Sequence, residues 1–537
     1  MPESSTEAPT VSVQNPAQAG AHDRASLQAA PPLELSSAQR VKVTLGVMLG
    51  LFLGALEATV VSTAMPTVIA SLGGLQIYSW VFSAYILTST VTVPLWGRLS
   101  DLYGRRPFVL AGIFIFLLGS ILSGLATSMT QLVIFRAIQG LGAGALLTLG
   151  MTIIGEIYSP EKRARMQGLF SGVWGLASII GPLIGGFVTD HLSWRWVFYI
   201  NIPFGLLAAF LIATALIEPK DHRKRVTIDY AGAFTLTAFL TLLLLALMNG
   251  GVPQDGWGFG LLGLAALLGV LFVWIERRAP EPIVPLSFFG HKIFSVSAGN
   301  GFFVGMAMFG SLSFIPLFVQ GVIGTTATEA GTALTPFMLA WVGFSVLGGR
   351  LILKIGYRVT ALMGAALLVV GFIGLAWMDA QTGRPIVMGY LAVAGAGMGF
   401  SMITLLIAVQ TSIPRTQLGI ATSGTIFFRS IGGAVGVAVM GAVLTAQMQA
   451  QMGRLMGLAG DAFSAEKLAD LVRHPDALLN PAARAQLPPP VLNALQEMLA
   501  TALHGVFLVG LVAVVLAFAI TLFLPKDRVH DRAEGQS

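Results

Sequence analysis

Two ionisable side chains interrupt long apolar stretches of this chain. Glu57 sits in Leu56-Glu57-Ala58-Thr59-Val60-Val61-Ser62-Thr63-Ala64-Met65-Pro66, and Arg136 opens Arg136-Ala137-Ile138-Gln139-Gly140-Leu141-Gly142. A charge at the centre of a bilayer costs roughly 2.5–3.5 kcal/mol on insertion scales, so a chain that keeps one there uses it. The chemistry open to Glu57 is to hold a proton or a cation. Loss of hydration disfavours a charged carboxylate, and a bound cation favours it, so one acid can exchange a proton for a cation. An Arg at that depth needs an acid, backbone carbonyls or water, and Glu57 is the partner expected for Arg136, directly or through water. The alternative for both is a static structural ion pair.

Arg429, in Phe427-Phe428-Arg429-Ser430-Ile431-Gly432-Gly433, is a third charge at membrane level, facing either a cavity or lipid headgroups. Asn300, Gln320 and Gln410 could contact cargo or bond to neighbouring helices. Phe303 belongs to a group of Phe and Met residues (Phe302, Met306, Met308, Phe309, Phe314) of the adaptable kind that suits varied apolar ligands. Gly168, Gly172, Ala177, Gly181 and Gly185 recur every four or five residues, which leaves a smooth helix face for close backbone approach. Pro182 removes one amide donor from that helix. A polar loop, Gly97-Arg98-Leu99-Ser100-Asp101-Leu102-Tyr103-Gly104-Arg105-Arg106-Pro107, separates two apolar runs, with Asp101 placed to pair with an Arg or cap a helix.

The elements that must carry these residues are transmembrane helices. The 537 residues are 55% hydrophobic and 10% charged, against about 25% charged in soluble domains. Fourteen apolar runs, near 41–64, 77–97, 107–126, 131–154, 166–189, 197–217, 228–249, 258–276, 293–319, 331–353, 358–378, 386–409, 418–446 and 502–524, reach the ~20 residues a spanning helix needs. None alternates with period two, which argues against a barrel. Basic clusters fall in every second gap: Arg98, Arg105 and Arg106; Lys162, Arg163 and Arg165; Lys220, Arg223, Lys224 and Arg225; Arg277 and Arg278. The positive-inside rule then places both termini in the cytoplasm, and accounts for the net charge of +6 without nucleic-acid binding. There is no cysteine, which excludes disulfides, thiolate metal sites and a Cys nucleophile.

A repeat is visible within the chain. Gly97-Arg98-Leu99, with Gly104 and Arg106 following, is echoed by Gly349-Arg350-Leu351, with Gly356 and Arg358 following. Two related six-helix halves are typical of transporters. The copies lie eight helices apart, so two extra helices are inserted between the halves. The expected organisation is a cytoplasmic tail (1–38, disordered and not a signal peptide), an N-terminal half (39–219), two inserted helices (220–278), a C-terminal half (279–525) and a short tail (526–537). The second half contains a long outside segment, 447–501, with Asp461, Glu466, Lys467, Asp470 and Arg473.

From about residue 41 to 525 the chain resembles the fourteen-helix drug:proton antiporter branch of the major facilitator superfamily. The resemblance rests on the 97–107 loop, on Arg136 to Gly142, on Gly172-Val173-Trp174-Gly175 with Gly181-Pro182-Leu183-Ile184-Gly185-Gly186, and on Trp194-Arg195-Trp196-Val197-Phe198-Tyr199-Ile200-Asn201-Ile202-Pro203-Phe204-Gly205. The acid of the first helix is usually Asp in that branch, and is Glu57 here. The resemblance implies proton coupling through Glu57 and Arg136. It also implies a conformational latch at Gly97, Asp101, Gly104, Arg105 and Arg106 that stabilises the outward-open state, and antiport gating by Gly172, Gly181, Pro182, Gly185 and Gly186.

The expected fold class is therefore an all-α polytopic membrane protein of the inner (cytoplasmic) membrane. The expected function is proton-coupled export of amphipathic, cationic small molecules by alternating access, as in multidrug efflux. Protons, small-molecule cargo and membrane lipids are the expected partners. No cofactor, metal, nucleotide or nucleic acid is expected, because no Gly-x4-Gly-Lys-Ser/Thr loop is present and no catalytic cluster converges. The rivals are an exporter of an endogenous lipid or metabolite in the same fold, and a proton symporter, against which the 172–186 motif argues.

Overall fold

The computed structural model describes residues 35–158, 160–218, 229–248, 256–279, 282–284, 286–413, 418–458, 484 and 488–525. Several expectations lie outside those residues. They are the two tails, the basic cluster 220–225, the acids of 461–470 and Arg473, and the side chains of Asp101, Lys162, Arg163 and Arg165.

The described residues form helices and no strands. The first half contains α1 (Ser37–Leu72), α2 (Tyr78–Tyr103), α3 (Arg105–Leu125), α4 (Met129–Ile157), α5 (Pro160–His191) and α6 (Trp196–Ala215). The inserted pair is α7 (Tyr230–Met248) and α8 (Gly256–Glu276). The second half begins with α9 (Lys292–Leu317), which runs on into a π-helical turn (Phe318–Ile323). Two helices follow within Ala327–Ala376, α10 (327–355) and α11 (357–376), divided where Gly356 leaves helical geometry at φ 79°. The chain ends with α12 (Arg384–Ser412), α13 (Leu418–Leu458) and α14 (Pro489–Thr521). Twelve described helices are long and apolar enough to span a membrane. One of them is the divided α10–α11, and the more polar α2 adds 26 residues, so the arrangement is consistent with fourteen spans.

Local chemistry sets the ends. Ser36 and Gln39 form a capping box that starts α1 at Ser37, so the helix reaches back past the apolar run into the segment expected as tail. Thr326 and Glu329 do the same for α10. Within 447–501, residues 447–458 continue α13 and residues 489–501 belong to α14, because amphipathic turns prolong both helices beyond their apolar cores. From that segment, Arg484 donates to the Gln320 carbonyl (3.3 Å) and Gln496 to the Val322 carbonyl (2.8 Å), supplying donors to the π-helical turn. Burial lowers the Arg484 guanidinium from its ordinary value.

The internal repeat is structural. Gly104 (φ 100°) and Gly356 (φ 79°) turn the chain at equivalent corners, in a region that other residues rarely adopt. Two residues later, Arg106 donates to the Ala213 carbonyl (2.6 Å) near the end of α6, and Arg358 to the Leu522 carbonyl (3.2 Å) just past α14. Each half thus ties its second corner to the end of its last helix.

The core shows how the halves meet. At the end away from both termini (the far end) a single apolar cluster runs through both halves, from Val60, Met65 and Tyr78 to Phe314, Leu334 and Val437. At the terminal end the cores are separate: Val43, Ile153 and Ile212 in the first half, and Ile352, Tyr357 and Leu524 in the second. The halves are therefore joined at the far end and apart at the terminal end. On one flank α7 lies across the seam between α2 and α13, with Leu240 and Leu244 packed among Leu87, Val91 and Ala434.

Candidate functional site

Glu57 and Arg136 are each 1% exposed and form an ion pair between α1 and α4. The guanidinium also donates to Gln139 Oε1 (2.7 Å) and the Val81 carbonyl (3.3 Å), and lies 4.1 Å from the centre of the Tyr85 ring. The other oxygen of Glu57 accepts from Asn201 Nδ2 (2.6 Å). Asn201 and Gln139 both donate to Ser120 Oγ (2.9 and 3.3 Å), which in turn donates to the Phe198 carbonyl (2.8 Å). Five helices of the first half, α1, α2, α3, α4 and α6, thus close one buried polar cluster. A buried pair is stable only when hydrogen bonds satisfy its remaining atoms, and this pair has them. One buried atom of the cluster, Asn201 Oδ1, has no hydrogen-bond partner among the described residues.

The sequence pointed to Glu57 and Arg136 but not to Ser120, Gln139, Asn201 or Tyr85. Gln139 was open to detection, since it follows Arg136 by three residues and shares its helix face. Asn201 was signalled by its amide inside an apolar run. Ser120 and Tyr85 carried no signal, because both residue types are common in membrane helices.

The motif of α5 lies along two contacts. Gly181 and Gly185 meet Thr59, Val60 and Thr63 of α1, one turn from Glu57. Gly186 faces Ala327 and Thr328 of α10, and the Pro182 carbonyl lies against Gly331. The contact with α10 continues to Gly175, opposite Val342; a Cβ at Gly172, one turn on, would meet nothing within 4 Å among the described residues. At the far end Asp190 of α5 accepts the first backbone amides of α10, from Ala327 (3.1 Å) and Thr328 (2.7 Å). A carboxylate of one half thereby caps a helix of the other. Gln320 donates to the Thr63 carbonyl (2.9 Å), and the Tyr78 hydroxyl to the Ser313 carbonyl, across the same seam.

Asp190→Ala removes the cap and is expected to weaken the closed far end by about 1 kcal/mol, roughly fivefold in population. The chain has no cysteine, so spin labels can be placed at Leu192 and Gln381, exposed positions on far-end loops of the two halves. A larger share of long label distances is expected in the variant, and an unchanged distribution would refute the role of Asp190.

The 97–107 corner is tied within its own half. Arg105 pairs with Glu156 of α4 (2.9 Å) and donates to Ser100 Oγ (2.6 Å). Glu218, after α6, accepts the amides of Arg105 (2.7 Å) and Arg106 (3.3 Å) and crowds Gly104. Gly97 packs toward Thr148 of α4. Among the cargo candidates, Asn300 is 2% exposed and donates to Thr521 Oγ1 (2.8 Å) and the Ala517 carbonyl (3.3 Å), which ties α9 to α14. Gln320 serves the seam between the halves. Phe303 is half-buried with its ring edge-on to Phe302, and Gln410 is exposed beside Thr422 (3.4 Å).

Residues 47–437 match the Major Facilitator Superfamily. The chain belongs to that family. It is a multi-pass membrane transporter and not an enzyme. It is 37% identical over 526 residues to the multidrug transporter protein MdtP of Bacillus subtilis, covering 94% of this chain and 96% of that one. It is also 37% identical over 496 residues to multidrug resistance protein 3 of the same organism, covering 92% and 96%. Among solved structures it resembles a bacterial homologue of the human lysosomal transporter Spinster in an inward-facing, unoccupied conformation. The TM-score is 0.64, with 16% identity over 91% of this chain and 98% of that one, a likeness of fold alone.

Proposed function

We propose that this superfamily member is a proton-coupled antiporter that exports amphipathic small molecules from the cytoplasm by alternating access. The observation that carries the reading is the buried Glu57–Arg136 pair, an ionisable acid wholly inside the membrane with a cation and an amide arranged to hold it. Relatives named as multidrug transporters support efflux of varied small molecules. With both termini in the cytoplasm, as the basic loops favour, the parted terminal end faces inward, and the state described is inward-open.

Cationic cargo, expected from the acid alone, would need Arg136 to withdraw, because both oxygens of Glu57 are taken by the protein's own donors. The driving force depends on cargo charge. One proton against one monovalent cation moves no net charge and yields about 1.36 kcal/mol per pH unit. A neutral cargo adds about 2.3 kcal/mol per 100 mV. The rival reading, export of a membrane lipid, would need a lateral opening, and the α2–α13 flank is covered by α7.

The test uses proteoliposomes loaded with a pH-sensitive dye and challenged with fluorescent amphiphiles of either charge. Cargo-dependent proton movement is expected for the wild type and is lost in Glu57→Gln. Equal proton movement in both proteins would remove Glu57 from the mechanism.

A further inference from the structure

Arg429 is the charge that the buried cluster does not absorb. It lies on α13 in the opposite half, and no hydrogen bond, ion pair or ring contact reaches its guanidinium among the described residues. Its stem is held. Gly305 and Gly301 of α9 leave a groove in which it lies, and a Cβ at Gly305 would sit 3.0 Å from Arg429 Cγ. The residue as a whole is half-buried, with its stem packed in that groove.

The surroundings of that head are amphipathic. Thr422, Ile426 and Arg429 follow at helical spacing and share one face of α13. Ile426 is 45% exposed, and exposed Gln410 of α12 joins the strip through Thr422. The strip runs from the parted terminal end inward, with a polar foot, an apolar middle and a cation at its inner limit. Arg429 stands eleven residues into α13, about 16 Å along the helix.

We propose that Arg429 anchors an anionic group (carboxylate, sulfonate or phosphate) of an amphipathic cargo molecule that enters from the terminal end, its apolar body over Ile426. The proposal rests on the transporter reading and deepens it by giving the cargo a negative charge. A guanidinium binds such groups with paired, charge-assisted hydrogen bonds, and an unpaired one at this depth gains most from a ligand that supplies the missing anion.

The experiment measures equilibrium binding of radiolabelled 1-naphthylacetate and of uncharged 1-naphthylacetamide to the full chain in phosphatidylcholine nanodiscs. The wild type is expected to prefer the anion by about tenfold or more. Arg429→Gln should bring the two ligands level, and Arg429→Lys should keep part of the preference, which also guards against a misfolded Gln variant. No preference in the wild type, or an undiminished one in Arg429→Gln, overturns the proposal. Loss of the preference when phosphatidylglycerol is added would give the site to a lipid phosphate and overturn the assignment to cargo. Glu57→Gln should retain the anion preference, so a failure of proton coupling and a failure of anion binding remain distinguishable.

Discussion

Arg136→Met is expected to be among the most damaging single substitutions in the first half. It leaves the Glu57 carboxylate buried at 1% exposure with only neutral amides, Asn201 and Gln139, as side-chain donors. Removing one partner of a buried ion pair costs about 3–5 kcal/mol, because the other charge is left uncompensated. Thermal unfolding in detergent should show a large drop in stability, and cargo-dependent proton movement should disappear. The double variant Glu57→Gln, Arg136→Met separates stability from function. With both charges gone, stability should return toward the wild type while proton movement stays absent, since buried pairs replaced by uncharged groups are often neutral or stabilising. A double variant as unstable as Arg136→Met would mean that the guanidinium acts through its packing on Tyr85 and not through the acid.

Gly186→Val carries the second large expectation. A Cβ at Gly186 would lie 2.5 Å from the Ala327 carbonyl oxygen and the Thr328 Cα. Both are backbone atoms at the start of α10 and cannot rotate aside. Overpacking of this kind costs about 1–3 kcal/mol, and here the strain is relieved by parting the halves at the far end. The closed far end should fall roughly 5- to 150-fold in population, with longer distances between labels at Leu192 and Gln381 and loss of transport. Gly172→Val is the matched control, because a Cβ there would meet nothing within 4 Å among the described residues and the label distance should not change. Short distances and intact transport in Gly186→Val would refute the contact as a gate.

The helices were legible because each must bury about twenty apolar residues in hydrocarbon, and composition alone reports that. The second corner was legible as well: Gly104 and Gly356 recur at the same offset after Gly-Arg-Leu, and the positive φ at both explains why. The ends of α1, α13 and α14 were less legible, since a capping box or amphipathic turns extend a helix without adding hydrophobicity. Within the site, charge in an apolar run revealed Glu57 and Arg136, but the neutral residues that hold them are polar groups of ordinary type. Asn300 was ambiguous for the same reason. An amide in a helix looks alike from the sequence whether it meets cargo or, as here, a threonine on the neighbouring α14. The seam contact of Asp190 with α10 depends on which helices meet, and no single-helix pattern reports that.

The buried ion pair is built from one half alone, with every partner drawn from α1, α2, α3, α4 and α6. The other half contributes no atom to it among these contacts. If that pair carries the proton and the second half holds the cargo, as proposed, energy input and cargo selection evolve on different schedules. On the reading proposed above, substitutions along α9, α12 and α13 would retune what is carried without touching the Glu57–Arg136 pair, so a lineage would acquire new cargo through changes in its second half while the first is held nearly constant.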